Sequence, residues 1–264
     1  MKKFLSLFAV VVFLSSCSDY QKALKSEDTA VKFTAATKMY EAKKYGKAIR
    51  LFEQIAPAYK GKPTAERMFY MYGQSLYKTK QYYLAGYQFE SFVSNYPKSE
   101  KIEEASFLGA KSFTFLSPVY SLDQTETNKA IDKLQNYIDS YPEGQNITEA
   151  NSLAKLLREK LEKKAYENAK IYYTISDYKA AMVAFDNLMI NFPGTIYKEK
   201  ALYFKFNSAY LLAINSIPAK MEERLNNAKL AYANFVKFKA DSEYKSKADV
   251  MLARIETDLK QFSK

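Results

Sequence analysis

Residues 66–99 read ERMFYMYGQSLYKTKQYYLAGYQFESFVSNYPKS. In the first half, Phe69, Tyr72, Gly73 and Leu76 recur at three- and four-residue spacing, which places them on one face of a helix. Gly73 lies where a facing helix can pass close. After a polar break at Lys78–Gln81 the spacing resumes with Tyr82, Ala85, Phe89 and Phe92, and Pro97 ends the run. The segment therefore predicts two helices, the first over 66–79, joined by a short turn and packed face to face.

The second half of this phrase returns along the chain. It appears as Ala48, Phe52, Ile55; as Ala130, Leu134, Tyr137, Pro142; as Ala181, Phe185, Leu188, Pro193; and more weakly as Ala231, Phe235, Phe238. Tyr45, Tyr82 and Tyr178 stand three residues before their alanines. The small residue permits close helix approach and the bulky pair fills the space between helices. The proline is expected to stop one helix and start the next through its fixed φ. One such helix pair cannot bury its own apolar face, so the pairs must stack and the ends must be capped.

These residues resemble the tetratricopeptide repeat, whose helix-pair period is about 34 residues. Successive alanines here are 37, 45, 51 and 50 residues apart, which points to longer helices or insertions at 117–127 and 216–223. A long helix is expected over 153–173 and a capping helix over 246–262. The resemblance implies an all-α fold: a right-handed superhelical solenoid of about five helix pairs with a C-terminal capping helix.

Composition agrees with helices and narrows the chemistry. The 264 residues are 48% hydrophobic, with only 7 glycines and 7 prolines. There is no histidine and one cysteine, so His-based catalysis, paired-cysteine metal sites and disulfide frameworks are excluded. No glycine-rich phosphate loop or hydrolase elbow occurs, and no cofactor is expected. The net charge is +11, but 35 of the 40 basic residues are lysines spread along the chain. Arginine is the residue suited to bidentate phosphate and base contacts, so this balance reads as a solvated surface and no nucleic-acid partner is expected.

The first residues are an address. Met1-Lys2-Lys3 precedes an apolar run from Phe4 to Leu14, too short to span a bilayer. Leu14-Ser15-Ser16-Cys17 resembles a bacterial lipobox. That implies a signal peptide, 1–16, cut before Cys17, and lipidation of Cys17. The mature chain would carry +9. Residues 17–28 are expected to be a lipidated tether, 29–150 the first three repeats, and 151–264 the last two and the cap. With no acidic run after Cys17, the body is expected to face the periplasm from the outer membrane.

A lipobox followed by about five irregular repeats resembles the outer-membrane protein assembly lipoproteins, and the resemblance covers nearly the whole chain. Met39–Tyr45 with Ala48, and the phrase Phe92-Val93-Ser94-Asn95-Tyr96-Pro97, carry it; the latter returns at 137–142 and 189–193. The lysine- and tyrosine-rich usage resembles Bacteroidetes members. The family implies a non-enzymatic component of the β-barrel assembly complex. Its partners would be unfolded outer-membrane protein precursors, the periplasmic domains of an Omp85-type barrel, other assembly lipoproteins, and the membrane through the lipid. The alternative is another repeat scaffold of the envelope, serving division, peptidoglycan synthesis or pilus assembly.

In the repeat pattern, positions two, five, nine and twelve line the groove. Counted from 29 these are Ala30, Phe33, Thr37 and Tyr40. Counted from 66 they are Arg67, Tyr70, Gln74 and Tyr77, with Lys78 adjacent. Tyrosine and phenylalanine suit an extended peptide with an aromatic end, and Arg67 or Lys78 would pair with its carboxylate; ordinary core packing is the other account of these rings. On the long helix, Tyr166, Lys170 and Tyr173 form a stripe that either faces a docking partner or packs between repeats. Glu103, Glu104 and Glu149 read as charges at helix starts rather than as the catalytic carboxylates of a sugar hydrolase.

Overall fold

The computed structural model describes residues 19–262; the signal segment and Cys17 lie outside the described residues. The described chain is helical and contains no strand. Helix α1 covers 19–25. It is followed by α2 (Thr29–Glu41), α3 (Tyr45–Tyr59), α4 (Ala65–Lys78), α5 (Tyr82–Asn95), α6 (Ile102–Thr114) and α7 (Thr125–Ser140). Then come α8 (Ile147–Thr174), α9 (Tyr178–Asn191), α10 (Lys198–Ile214), α11 (Pro218–Phe238) and α12 (Lys245–Leu259), which ends in a 3₁₀ turn at Lys260–Phe262.

The chain forms two compact units. The first holds the described residues through Pro118 and Gln124–Leu157; the second holds Val119–Asp123 and the chain from Arg158 onward. The division falls inside α8, seven residues beyond the expected boundary after residue 150. The five-residue segment 119–123 belongs with the second unit, where Lys163 sits over the Tyr120 ring at 4.4 Å.

The repeated phrase falls on α3, α5, α7, α9 and α11, and its alanines and bulky residues are buried. Phe238 is the exception. At the last residue of α11 it is 46% exposed and lies under the Lys198 ammonium. Close approach at the glycines is as expected: a Cβ on Gly73 would meet the Phe89 ring at 2.9 Å. In the first unit Tyr20 and Ala23 of α1 are buried with Ala36, Met39, Phe52 and Ile55. This corrects the tether, because Tyr20, Ala23 and Leu24 have helical spacing and join the core from residue 19 onward.

Three of the helix pairs turn in one way. Lys43, Lys80 and Ser176 adopt positive φ of 57°, 62° and 63°. Each lies just after the first helix of a pair, where paired N–H groups close the helix end, as in Lys43 N to Tyr40 O and Lys44 N to Met39 O. The tyrosines before the alanines pack across this turn. Tyr45 meets Tyr40, Tyr82 meets Tyr77 and Tyr178 meets Tyr173, with ring centroids 5.6–6.2 Å apart.

The junctions between pairs use a second device. Pro97, Pro142 and Pro193 stop helices, but the next helices begin only five residues later, so proline does not start them. A hydroxyl does that work. Ser99 Oγ accepts from Lys101 N at 3.0 Å, and Thr195 Oγ1 accepts from Tyr197 N at 3.2 Å. Each hydroxyl also donates to a glutamate on the first helix of the preceding pair: Ser99 to Glu66 at 2.6 Å and Thr195 to Glu162 at 2.7 Å. Ser242 repeats both contacts with Tyr244 and Glu199. Where glycine takes the hydroxyl's place, at Gly144, Glu103 accepts instead from Gln145 N and Tyr137 Oη.

Of the two expected insertions, 117–127 is a loop that ends where α7 begins at Thr125. The other is corrected: only the residues before Pro218 are loop, because Pro218 occupies the first turn of α11 and 218–223 extend that helix.

Candidate functional site

Glu66, Glu103, Glu162 and Glu199 hold one position of the repeat, near the start of α4 and α6, midway along α8, and at the start of α10. Counting from them, and from Thr29 in the first pair, puts Phe33, Tyr70, Phe107, Tyr166 and Tyr203 at position five, Thr37, Gln74, Lys111, Lys170 and Asn207 at nine, and Tyr40, Tyr77, Thr114, Tyr173 and Tyr210 at twelve.

Position five is packing. Phe33 lies on Tyr59 at 5.2 Å, Tyr70 on Phe92 at 5.6 Å and Phe107 on Tyr137 at 5.3 Å. Tyr166 is 5% exposed and stacked on Tyr197 at 4.8 Å. Of the two accounts of the aromatic candidates, core packing holds for Phe33, for the ring of Tyr70 and for Tyr166. This corrects Tyr166 as a docking residue, since burial leaves it no surface to offer.

Positions nine and twelve make a polar ladder. The position-twelve tyrosine of one pair meets position nine of the next, 34 residues on. Tyr40 Oη donates to Gln74 Oε1. The Tyr77 hydroxyl lies within electrostatic reach of the Lys111 ammonium, and both line the same cleft. Asn207 Nδ2 donates to Tyr173 Oη at 3.0 Å. Lys170 stands 5.6 Å from the centre of the Phe204 ring. Thr37 is half-buried, and its Oγ1 has no hydrogen-bond partner among the described residues.

In the first unit the ladder is continuous across α2, α4, α6 and the start of α8. Gln74 Nε2 donates to Tyr70 Oη at 2.6 Å and to Glu104 Oε1 at 3.3 Å. Lys111 Nζ pairs with Glu149 at 2.6 Å. Burial, and then the Glu104 carboxylate beside it, pushes the Tyr70 hydroxyl far above the ordinary tyrosine range. Burial also raises Tyr40 and Tyr77, the latter against the opposing pull of Lys111. For Lys111 itself burial favours the neutral amine, but Glu149 and Tyr77 outweigh it and hold the ammonium. The tyrosines therefore stay neutral, as donors and acceptors, at neutral pH.

Beside the ladder lies an open cleft of about 570 Å³, lined by Tyr77, Lys78, Glu104, Phe107, Lys111 and Glu149 among others. Arg67, Tyr70, Gln74, Tyr77 and Lys78 form one stripe on α4. Arg67 and Lys78 are exposed at its two ends, about 16 Å apart at 1.5 Å per residue. Arg67 makes a 3.5 Å ion pair with Glu41 that is largely exposed on both sides. The sequence alone reads Glu104 and Glu149 as helix-start charges and does not single out Lys111. Continuing the repeat count from Glu103 would have found Glu104, Phe107 and Lys111.

Helix hairpins packed in succession, with a polar, tyrosine-rich face in each unit, define a helical-repeat protein. The chain belongs to the outer membrane lipoprotein family YfiO, whose model matches residues 25–226. That family is non-enzymatic and associated with the outer membrane. The chain is 24% identical, over 234 residues, to a protein of Aquifex aeolicus provisionally assigned as outer membrane protein assembly factor BamD; the match covers 85% of this chain and 74% of that one. It is also 24% identical, over 177 residues, to outer membrane protein assembly factor BamD of Rickettsia prowazekii, covering 67% and 70%. No described helix is long and apolar enough to cross a membrane.

Proposed function

We propose that this chain is a lipid-anchored outer-membrane protein assembly factor that receives unfolded barrel precursors on its first unit. The observation that carries the reading is the stripe on α4. Arg67 and Lys78 bracket the bonded Tyr70–Gln74 pair and Tyr77, and the 16 Å between them matches about five residues of extended peptide. A strand ending in an aromatic residue and a carboxylate would lay its backbone along the tyrosine hydroxyls and set its charge on one of the two cations. The assembly role of the BamD relatives and the family match support the same reading. The second unit, with Lys170 and Tyr173 half-buried on its ladder, would dock the periplasmic domains of an Omp85-type barrel. Cys17 would carry the lipid and the body would face the periplasm.

The test has two parts. Affinity purification from solubilised envelopes, with Cys17 intact, should recover an Omp85-type barrel in stoichiometric amount; division or peptidoglycan enzymes in its place would overturn the assignment. Arg67→Glu with Lys78→Glu should weaken binding of a synthetic peptide with a C-terminal aromatic residue at least tenfold. C-terminal amidation of the peptide should have a similar effect on the unaltered protein. Unchanged binding in both cases would remove the groove.

A further inference from the structure

The first unit carries a second concavity, away from the ladder. It lies between α1 and α2 and has a volume of about 530 Å³. Its wall is apolar: Ala23, Ala30, Val31 and Ala35, with the Thr34 hydroxyl turned back onto the Ala30 carbonyl. Val31 is 46% exposed. Lys22 and Lys38 stand on the rim with Asp19, and neither lysine forms an ion pair with a described residue. This is the face of α2 on which a preceding helix pair would stack, and α1 covers it only in part. The end of a repeat array normally needs a polar cap; here the described residues leave an apolar floor with a cationic edge.

We infer that this face rests on the membrane, with Val31 and its alanine neighbours against the acyl boundary and Lys22 and Lys38 on anionic headgroups. Two observations choose this occupant over a second copy or a partner protein. The first is charge: residues 19–62 carry ten basic and five acidic side chains, the balance that anionic lipid attracts. The second is position. Cys17 precedes Asp19 by two residues, and two residues of chain reach at most about 7 Å. An anchor at Cys17 therefore holds this groove at the bilayer surface. Stable membrane attachment commonly takes an acyl anchor plus a basic, partly apolar patch. The orientation rests on the anchored reading of Cys17 given above.

The chain contains no tryptophan, so one introduced indole reports its surroundings alone. Val31→Trp and, as a control far along the sequence, Val250→Trp (71% exposed in the native chain) are placed in the full lipoprotein. The protein is reconstituted in vesicles of phosphatidylethanolamine and phosphatidylglycerol with brominated acyl chains. Fluorescence at position 31 should be quenched at least twofold more than at 250, and Lys22→Glu with Lys38→Glu should remove most of that difference. Equal quenching at both positions overturns the proposal, as does a position-31 signal that changes with protein concentration in the absence of lipid, which would mark self-association. Sedimentation of the unaltered chain against Cys17→Ser reports the anchor separately. If the anchor fails while position 31 is still quenched on anionic vesicles, the membrane face stands and the lipidation reading falls.

Discussion

Glu66 and Ser99 are 33 residues apart and share a 2.6 Å hydrogen bond that ties the first helix of one pair to the turn that opens the next. The same relation joins Glu162 to Thr195, and a longer interval separates Glu199 from Ser242. In each, one buried hydroxyl donates to a carboxylate and accepts a backbone N–H. Thr195→Val keeps the shape and removes both bonds. It leaves a half-buried carboxylate short of a donor and an N–H unpaired, which should lower the second unit's stability by about 2 kcal/mol. Thr195→Ser, which keeps the hydroxyl, should change it by less than about 0.5 kcal/mol beyond the loss of the methyl. Urea denaturation of the two variants checks the difference.

Left-handed backbone at Lys43, Lys80 and Ser176 makes the opposite kind of variant available. Glycine adopts this conformation without the Cβ clash, and the three side chains are exposed. Each substitution by glycine should raise stability by about 0.5 kcal/mol, the relief of strain being partly offset by the freer unfolded chain. Melting curves of the single and triple variants measure it. A drop in all three would mean that these turns are not strained.

Gly73 and Gly46 should respond oppositely to alanine. At Gly73 a Cβ would lie 2.9 Å from the Phe89 ring, whereas at Gly46, in the first turn of α3, nothing lies within 4 Å. Gly73→Ala should destabilise by about 1–2 kcal/mol through overpacking. Gly46→Ala should stabilise by about 0.5 kcal/mol through helix propensity. Thermal unfolding of both variants in one buffer settles the comparison.

Acid should weaken the C-terminal end of the second unit. Hydrogen bonds from Lys239 and then Ser242 hold Glu199 below the ordinary carboxylate range, and Lys245 and then Tyr232 do the same for Asp249. A carboxylate whose pKa is depressed by folding stabilises the native state above its unfolded value, near 4, and that contribution disappears as pH falls through the lower folded value. The melting temperature should therefore fall below about pH 4, and Glu199→Gln should flatten that limb while lowering the plateau near neutrality.

Alkali should reveal two classes of tyrosine. Burial pushes Tyr72 and Tyr166 up to about 12, and Tyr70 higher still. A phenol whose pKa is raised by folding stabilises the native state below its unfolded value, near 10, and that contribution is lost as pH climbs toward the folded value. Absorbance at the phenolate band should show an early class that includes the exposed Tyr87, which its hydrogen bonds from Lys129 and Tyr83 hold low. A late class should ionise only as helix content collapses in circular dichroism.

The repeat was plain in the sequence because packing obeys a local rule. An alanine followed by bulky residues four and seven positions on must lie on one helix face, so Ala85-Phe89-Phe92 and its four relatives announced the second helices without knowledge of their neighbours. The polar ladder was legible to the same extent. Counting through the repeat reached Tyr40, Tyr70 and Gln74, whose polar ends the structure joins by hydrogen bonds.

Burial of the remaining candidates needed tertiary contacts. Phe33, Tyr70 and Tyr166 have the same spacing whether they line a groove or pack on a neighbouring helix, and periodicity specifies a face without specifying what covers it. Only the positions of Tyr59, Phe92 and Tyr197 turned those three rings inward. The folding of α1 onto the core, at a place that composition marked as tether, was decided in the same way. So were the glutamate–hydroxyl bonds, whose partners in successive pairs stand 33 or more residues apart. The sequence by itself determined the helices, their pairing and the register of the polar ladder, because those follow from the period of the α-helix. Which side chains remain open to a partner was left to the tertiary structure, because exposure depends on neighbours that a single helix does not contain.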